Sequence, residues 1–146
     1  VTEPPADEVR QVVEGAGYAA AKIDALGEGP GFKKIRRALG VTAFGINAIV
    51  FPPGAESGFH YHDEQEETYF VHRGRLEFEF GDGSRIALGP GGVVRVDPGT
   101  HRKLRNIGEE DAVYVCAGGK DGYVGRDGRM PEGETRVQPS GPPGTA

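Results

Sequence analysis

From residue 41 to residue 117 the chain is cut about every 8 to 12 residues by a turn rich in glycine, proline or charge, and apolar and polar residues alternate between the cuts. The clearest run is Arg75-Leu76-Glu77-Phe78-Glu79-Phe80, with Leu76, Phe78 and Phe80 on one face and charges on the other, which predicts a half-buried strand. Gly81-Asp82-Gly83-Ser84 reads as a hairpin turn, 85–88 as its return strand, and Gly89-Pro90-Gly91-Gly92 as the next turn. Further strands are expected over 93–96, 101–107 and 112–117, and a mixed apolar strand over 41–51 with bends at Gly40 and Gly45. This rhythm predicts an all-β barrel or sandwich. The 25 glycines and 11 prolines suit short strands joined by tight turns, and 146 residues suffice for one domain with one moderate core.

The flanks read differently. Residues 1–34 are expected to form an N-terminal arm, 35–118 the barrel, and 119–146 a glycine- and proline-rich tail. Within the arm, 1–8 is polar and proline-broken, and DEVRQVVEG from Asp7 predicts two helical turns with Val9, Val12 and Val13 on one face. The stretch 18–37 is ambiguous between a short helix and an edge strand, and is broken at Gly27-Glu28-Gly29-Pro30-Gly31. Lys33, Lys34, Arg36 and Arg37 form a basic cluster best read as a solvated face. The tail is expected to be extended or mobile, with Tyr123, Val124 and Met130 as its only anchors.

Chemistry concentrates in Gly54–Gly74, GAESGFHYHDEQEETYFVHRG. His60 and His62 are two apart, so an extended chain projects both to one face. A turn through Asp63-Glu64-Gln65-Glu66 then returns Glu67 beside them on a neighbouring strand. Two imidazoles and a carboxylate converging on one face form a site for a divalent metal ion: iron, or less specifically Mn, Ni, Co or Zn. Alternation along 67–71 places Tyr69 and Val71 inward with Glu67, and His72 outward. Tyr69 is therefore the candidate proton donor; Tyr61 is the other tyrosine near the site. Cys116, the only cysteine, sits in an apolar run and reads as a buried structural thiol.

The stretch resembles the first motif of the cupins: Gly, five residues, His-x-His, three or four residues, Glu, six residues, Gly. Gly54, His60, His62, Glu67 and Gly74 meet every fixed position. The resemblance covers roughly 41–117 and implies a double-stranded β-helix with a metal inside its open end. It implies no single activity, because the family includes dioxygenases, isomerases, decarboxylases, binding modules and storage proteins. The second motif is Gly, five residues, Pro-x-Gly, two residues, His, three residues, Asn. Here an ungapped alignment gives Gly91, Asp97-Pro98-Gly99, Arg102 and Asn106, so arginine stands where the fourth ligand is expected. A turn shortened by one residue would instead bring His101 inward as fourth ligand. This reading is slightly favoured, because an arginine facing a metal is electrostatically costly. In the ungapped register Arg102 points inward, where it would clamp a carboxylate substrate.

These residues predict a metal-dependent enzyme acting on a small organic molecule, of dioxygenase, isomerase or lyase type, with Fe, Mn, Ni or Zn bound. The alternative is a non-catalytic cupin that binds a small molecule or is braced by its metal. Exposed strand edges predict a homodimer. A net charge of −5 argues against nucleic acid. No apolar run is long enough for a membrane span, no signal-peptide plan is present, and the single cysteine suits a reducing cytoplasm.

Overall fold

The computed structural model describes residues 3–132. Its largest sheet has five strands in the order β3 (Gly31–Lys33), β4 (Gly45–Phe51), β11 (Ala112–Gly119), β6 (Glu66–Arg73) and β9 (Val93–Val96), with every pairing antiparallel. Facing it is a three-stranded sheet in the order β10 (Arg102–Asn106), β7 (Leu76–Phe80) and β8 (Arg85–Leu88). The segment before β5 (Tyr61–His62) runs beside β10 through bridges at Glu56–Arg105 and His60–Arg102. The predicted alternation is visible as burial: Glu67, Tyr69 and Val71 lie inside, while the residues between them lie outside.

The core fills the space between the two sheets. Ile49, Phe51, Tyr69, Val71, Tyr114 and Cys116 come from the larger sheet, and Leu76, Phe78 and Leu104 from the smaller. Tyr69 and Phe78 meet edge to face across the interface at 5.2 Å, a favoured aromatic geometry. Two polar strips interrupt this apolar filling. In one, Asn106 donates to Phe51 O and Glu110 O; the other holds His60, His62, Glu67 and Arg102. Gly74 makes the β6–β7 turn at φ 82°, and a Cβ there would lie 2.6 Å from Ala112 Cα.

The N-terminal part departs from expectation. No helix forms over 7–15; instead β1 (Val13–Gly15) pairs with β2 (Tyr18–Ala20) in a hairpin. Adjacent β-branched Val12 and Val13 disfavour a helix, and Gly17, at φ 82°, supplies the turn. Val12 and Val13 stay largely exposed, so no apolar face was available to stabilise the helix. The ambiguous stretch contains both kinds of structure: a 3-10 turn at Ile23–Leu26, strand β3, and the short helix α1 (Ile35–Leu39). Lys33, expected at a solvated face, is buried and donates to Gly27 O and Gly29 O.

The C-terminal part also departs, as far as it is described. Beyond β11 the chain returns, and β12 (Gly128–Arg129) pairs with β5, setting Gly128 opposite His62. The Arg36 guanidinium stacks over the Tyr123 ring at 3.9 Å and holds the returning segment to α1. The expectation of a mobile tail otherwise concerns 133–146, which lie outside the described residues, as do positions 1 and 2 of the arm. No helix among the described residues is long and apolar enough to cross a membrane.

Candidate metal centre

His60, His62 and Glu67 converge from two strand segments, all three buried, with one donor atom of each within 4.8 Å of the others. Strand alternation brings the two histidines to one side, and a bend at Asp63-Glu64 starts β6 so that Glu67 faces them. His60 Nδ1 lies 3.4 Å from Gly58 O, which leaves Nε2 as the atom available to coordinate. Burial foremost, and then the Arg102 charge, lowers the His60 pKa from 6.5 to about 3, so its imidazole is neutral near pH 7.

His62 is held at Nδ1 and faces Glu67 with Nε2. Its Nδ1 lies 2.8 Å from Asp127 Oδ1, and Gln65 Nε2 also donates to that oxygen. A carboxylate can only accept, so Nδ1 carries a proton towards Asp127, with Gln65 Nε2 also 2.9 Å from Nδ1, and in the neutral ring Nε2 bears the lone pair. Nε2 is fully buried, makes no hydrogen bond, and yet lies 3.0 Å from Glu67 Oε1. With the ring neutral these are two lone-pair atoms that repel each other, and a cation between them removes the repulsion. The donor set therefore fits a divalent metal ion: two neutral imidazoles and one ionised carboxylate, on a rigid frame.

Glu67 is the best-supported side chain of the group. Tyr69 donates its hydroxyl proton to Oε1 over 2.7 Å, Arg102 Nη2 donates to the same oxygen, and the Cys116 thiol lies 3.2 Å from Oε2. Burial raises the Glu67 pKa. Contact with the His62 ring, the Arg102 charge and the Tyr69 hydrogen bond outweigh it and hold the carboxyl well below the usual range. Burial and the adjacent Glu67 charge push the Tyr69 and Cys116 pKa values far up, so both stay protonated as donors.

Arg102, not His101, occupies the inward position of the second motif. β10 pairs with β7 without a bulge, Arg102 opposite Phe80 and Asn106 opposite Leu76. Arg102 and His60 exchange both backbone hydrogen bonds, each 2.9 Å, and directly opposed residues project to the same face. The turn before β10 keeps its full length, pinned by Gly99 N to His62 O at 2.7 Å. His101 thus leaves on the opposite face, its ring stacked on Tyr61 at 4.5 Å, beside a surface groove that Phe80 and Asp82 also line. The expectation of His101 as fourth ligand is corrected accordingly. The anticipated cost of burying Arg102 is offset by bonds to Glu67, to the Tyr69 hydroxyl at 3.2 Å and to Thr100 O at 2.9 Å.

Tyr69 lies inside, but its proton is committed to Glu67 rather than offered to the open side of the site. Tyr61 faces outward with His101, and His72 is exposed. The sequence reading passed over Asp127 and Gln65. The His62 ring implied that some acceptor must hold its second nitrogen. Nothing in Gly125-Arg126-Asp127-Gly128 marked that acceptor.

The comparisons agree with this fold. The Cupin domain family profile matches residues 48–118, from within β4 to the end of β11. No curated protein sequence shows significant similarity to the chain. Among solved structures, a cupin protein from Bacteroides fragilis is 21% identical with TM-score 0.60, covering 71% of this chain and 85% of its own. A conserved protein with a double-stranded β-helix domain from Klebsiella pneumoniae is 21% identical with TM-score 0.52, covering 66% and 76%. A sugar phosphate isomerase from Silicibacter pomeroyi is 24% identical with TM-score 0.57, covering 73% and 74%. By the profile match, residues 48–118 of the chain form a cupin domain, with the His60, His62, Glu67 motif inside it and the double-stranded β-helix fold shared with the solved neighbours.

Proposed function

We propose that the protein is a metal-dependent enzyme that binds one divalent ion through His60, His62 and Glu67 and acts on a small anionic organic molecule. The observation that carries this is the bare, buried Nε2 of His62 facing Glu67. Three protein ligands leave coordination positions open, as catalytic metal sites require. The bound ion would supply Lewis-acid polarisation of a substrate oxygen, or redox chemistry if it is iron or manganese. The protein's part is to hold the two imidazoles neutral and the carboxylate ionised in a dry frame.

Anion preference follows from the charges. Glu67 and Asp127 contribute two negative charges and Arg102 one positive, so a divalent ion makes the centre positive overall. Three of the five Arg102 N–H donors are engaged within the protein, so its role is mainly to brace Glu67 and add positive charge. Tyr69 braces the same oxygen in this reading. Isomerase, lyase and dioxygenase chemistries all fit such a centre.

A second reading is favoured by one contact. Arg102 holds Glu67 so closely that it competes with an ion for the same oxygen, as a non-catalytic, ligand-binding cupin would tolerate. Turnover of a panel of small carboxylates and phosphorylated sugars, followed by NMR, separates the two. The enzymatic reading predicts turnover that is lost on chelation and restored by Fe(II), Mn(II), Ni(II) or Zn(II). Anion binding without turnover under any of these ions supports the second reading and overturns the first.

Self-association as a homodimer belongs to the same proposal. Phe70 and Val93 oppose one another across β6 and the edge strand β9, facing outward and 41% and 62% exposed. An outward apolar pair beside an open sheet edge is a surface that a second copy would cover.

A further inference from the structure

Asp127 is the most heavily engaged acid among the described residues outside the ligand set, and it comes from a segment distant in sequence. Its Oδ1 accepts from His62 Nδ1 and from Gln65 Nε2, and its Oδ2 accepts from the backbone N–H groups of Glu64 at 2.9 Å and Gln65 at 3.0 Å. The two backbone bonds fix the bend that turns the chain from His62 towards Glu67. A single carboxylate thus holds one ligand ring directly and sets the approach of a second ligand.

The segment bearing Asp127 is fastened at three more points. Tyr123 lies under Arg36, Gly128 pairs with His62 in the β12–β5 ladder, and Arg129 reaches Asp63 at 3.0 Å. Asp63 N also donates to Asp127 O at 3.2 Å. All but the Tyr123 contact fall on residues 61–65, the link between the histidines and Glu67.

We infer that Asp127 is the positioning residue of this centre, fixing His62 as the Nδ1–H tautomer, and that the segment 123–129 is a strap whose docking is linked to metal binding. A histidine ligand whose second nitrogen is held by a carboxylate is both oriented and made more basic, and removing such a partner costs roughly 10- to 100-fold in metal affinity. Linkage is reciprocal, so an ion that binds more tightly to the docked form must hold the strap down. The affinity half of this inference rests on the proposed metal site, whereas the tautomer half rests on His62 and Asp127 alone.

Long-range 1H–15N spectra of the metal-free full chain resolve the tautomers of its four histidines. The expected result is Nδ1–H for His62 in the unmodified protein and loss of that signature in Asp127→Ala, with Arg129→Ala leaving it in place. Co(II) titration should show Asp127→Ala weakened by roughly 10- to 100-fold. Asp127→Asn, with one acceptor oxygen for donors that now use two, should fall between. Added Co(II) should also slow amide exchange over 123–129. An Nε2–H tautomer in the unmodified protein overturns the inference whether or not any variant folds. A folded Asp127→Ala with unchanged tautomer and unchanged Co(II) affinity overturns it as well. If the unmodified protein takes up no Co(II), the proposed metal site is what fails, and the tautomer comparison still decides the role of Asp127.

Discussion

The exchange of histidine for arginine at position 102 decides what kind of centre this cupin can hold. A histidine there would add a fourth ligand, whereas Arg102 adds a charge and ties down Glu67 instead. Arg102→Ala leaves Glu67 buried without its main cationic partner, so the metal-free protein should lose roughly 3–5 kcal/mol in urea unfolding. The same variant should bind a divalent ion more tightly, because Glu67 is released to it. His101→Ala should change stability by less than about 1 kcal/mol and leave metal affinity unchanged. A His101→Ala variant that loses its metal would contradict the register described here. Acid stability gives a second check. The His60 pKa is about 3 when folded and near 6.5 when unfolded, so the unfolded chain takes up the proton first. Stability is therefore full above about pH 6.5 and declines as pH falls towards 3. The depressed Glu67 adds loss in the same direction below its ordinary range. The urea midpoint of the metal-free protein should fall steadily from pH 7 to pH 4, and a flat profile would mean that His60 is not held neutral. The convergence of His60, His62 and Glu67 was legible in the sequence because strand periodicity and spacing both point to it. The choice between His101 and Arg102 was not, because it hangs on the length of one turn, and a one-residue slip reverses every face.

Among the strands, the same periodicity made the barrel readable and left its two ends obscure. Residues 76–80 could be placed because their alternation matches one buried face, and 85–88 because the glycine turn before them implies a return strand, though that strand lies largely exposed. The hairpin at 13–20 could not, because its valines pack on little and carry no periodic signal. The returning segment was missed for a related reason: it is held by backbone pairing and one buried carboxylate, which leave no mark on hydropathy. Two glycines test how tightly the elements are fitted. A Cβ at Gly118 would lie 2.5 Å from Gln65 Oε1, 2.9 Å from Glu66 O and 3.0 Å from Glu67 Cγ. Gly118→Ala should therefore weaken metal binding as well as stability, by displacing the start of β6. Gly74→Ala meets Ala112 backbone and carries a positive φ, so its cost should exceed the roughly 1–2 kcal/mol of the φ alone. Gly83→Ala, at φ 89° with open space around it, is the comparison that isolates that φ cost. Equal losses at Gly74 and Gly83, measured by thermal unfolding, would contradict the close packing of the β6–β7 turn.

For the molecule as a whole, the fold supplies a stiff shell and the interior polar strip carries the candidate metal site. Core residues from both sheets surround Glu67 and Tyr69, so the centre cannot relax without disturbing the packing of Phe78 and Tyr114. Phe78→Ala should cost roughly 3–5 kcal/mol and loosen the centre with it. Light scattering on a size-exclusion column should report a dimer of the 15.5 kDa chain, and Phe70→Glu with Val93→Glu should convert it to monomer. A monomer before mutation would remove the dimer from the proposal and leave the centre untouched. The centre is tested most directly by anomalous scattering from crystals grown with Mn(II) or Co(II). The peak should fall among His60 Nε2, His62 Nε2 and Glu67, one ion per chain, and should be absent from His60→Ala crystals. A map without a peak there, or with one at His101 instead, would contradict the assignment.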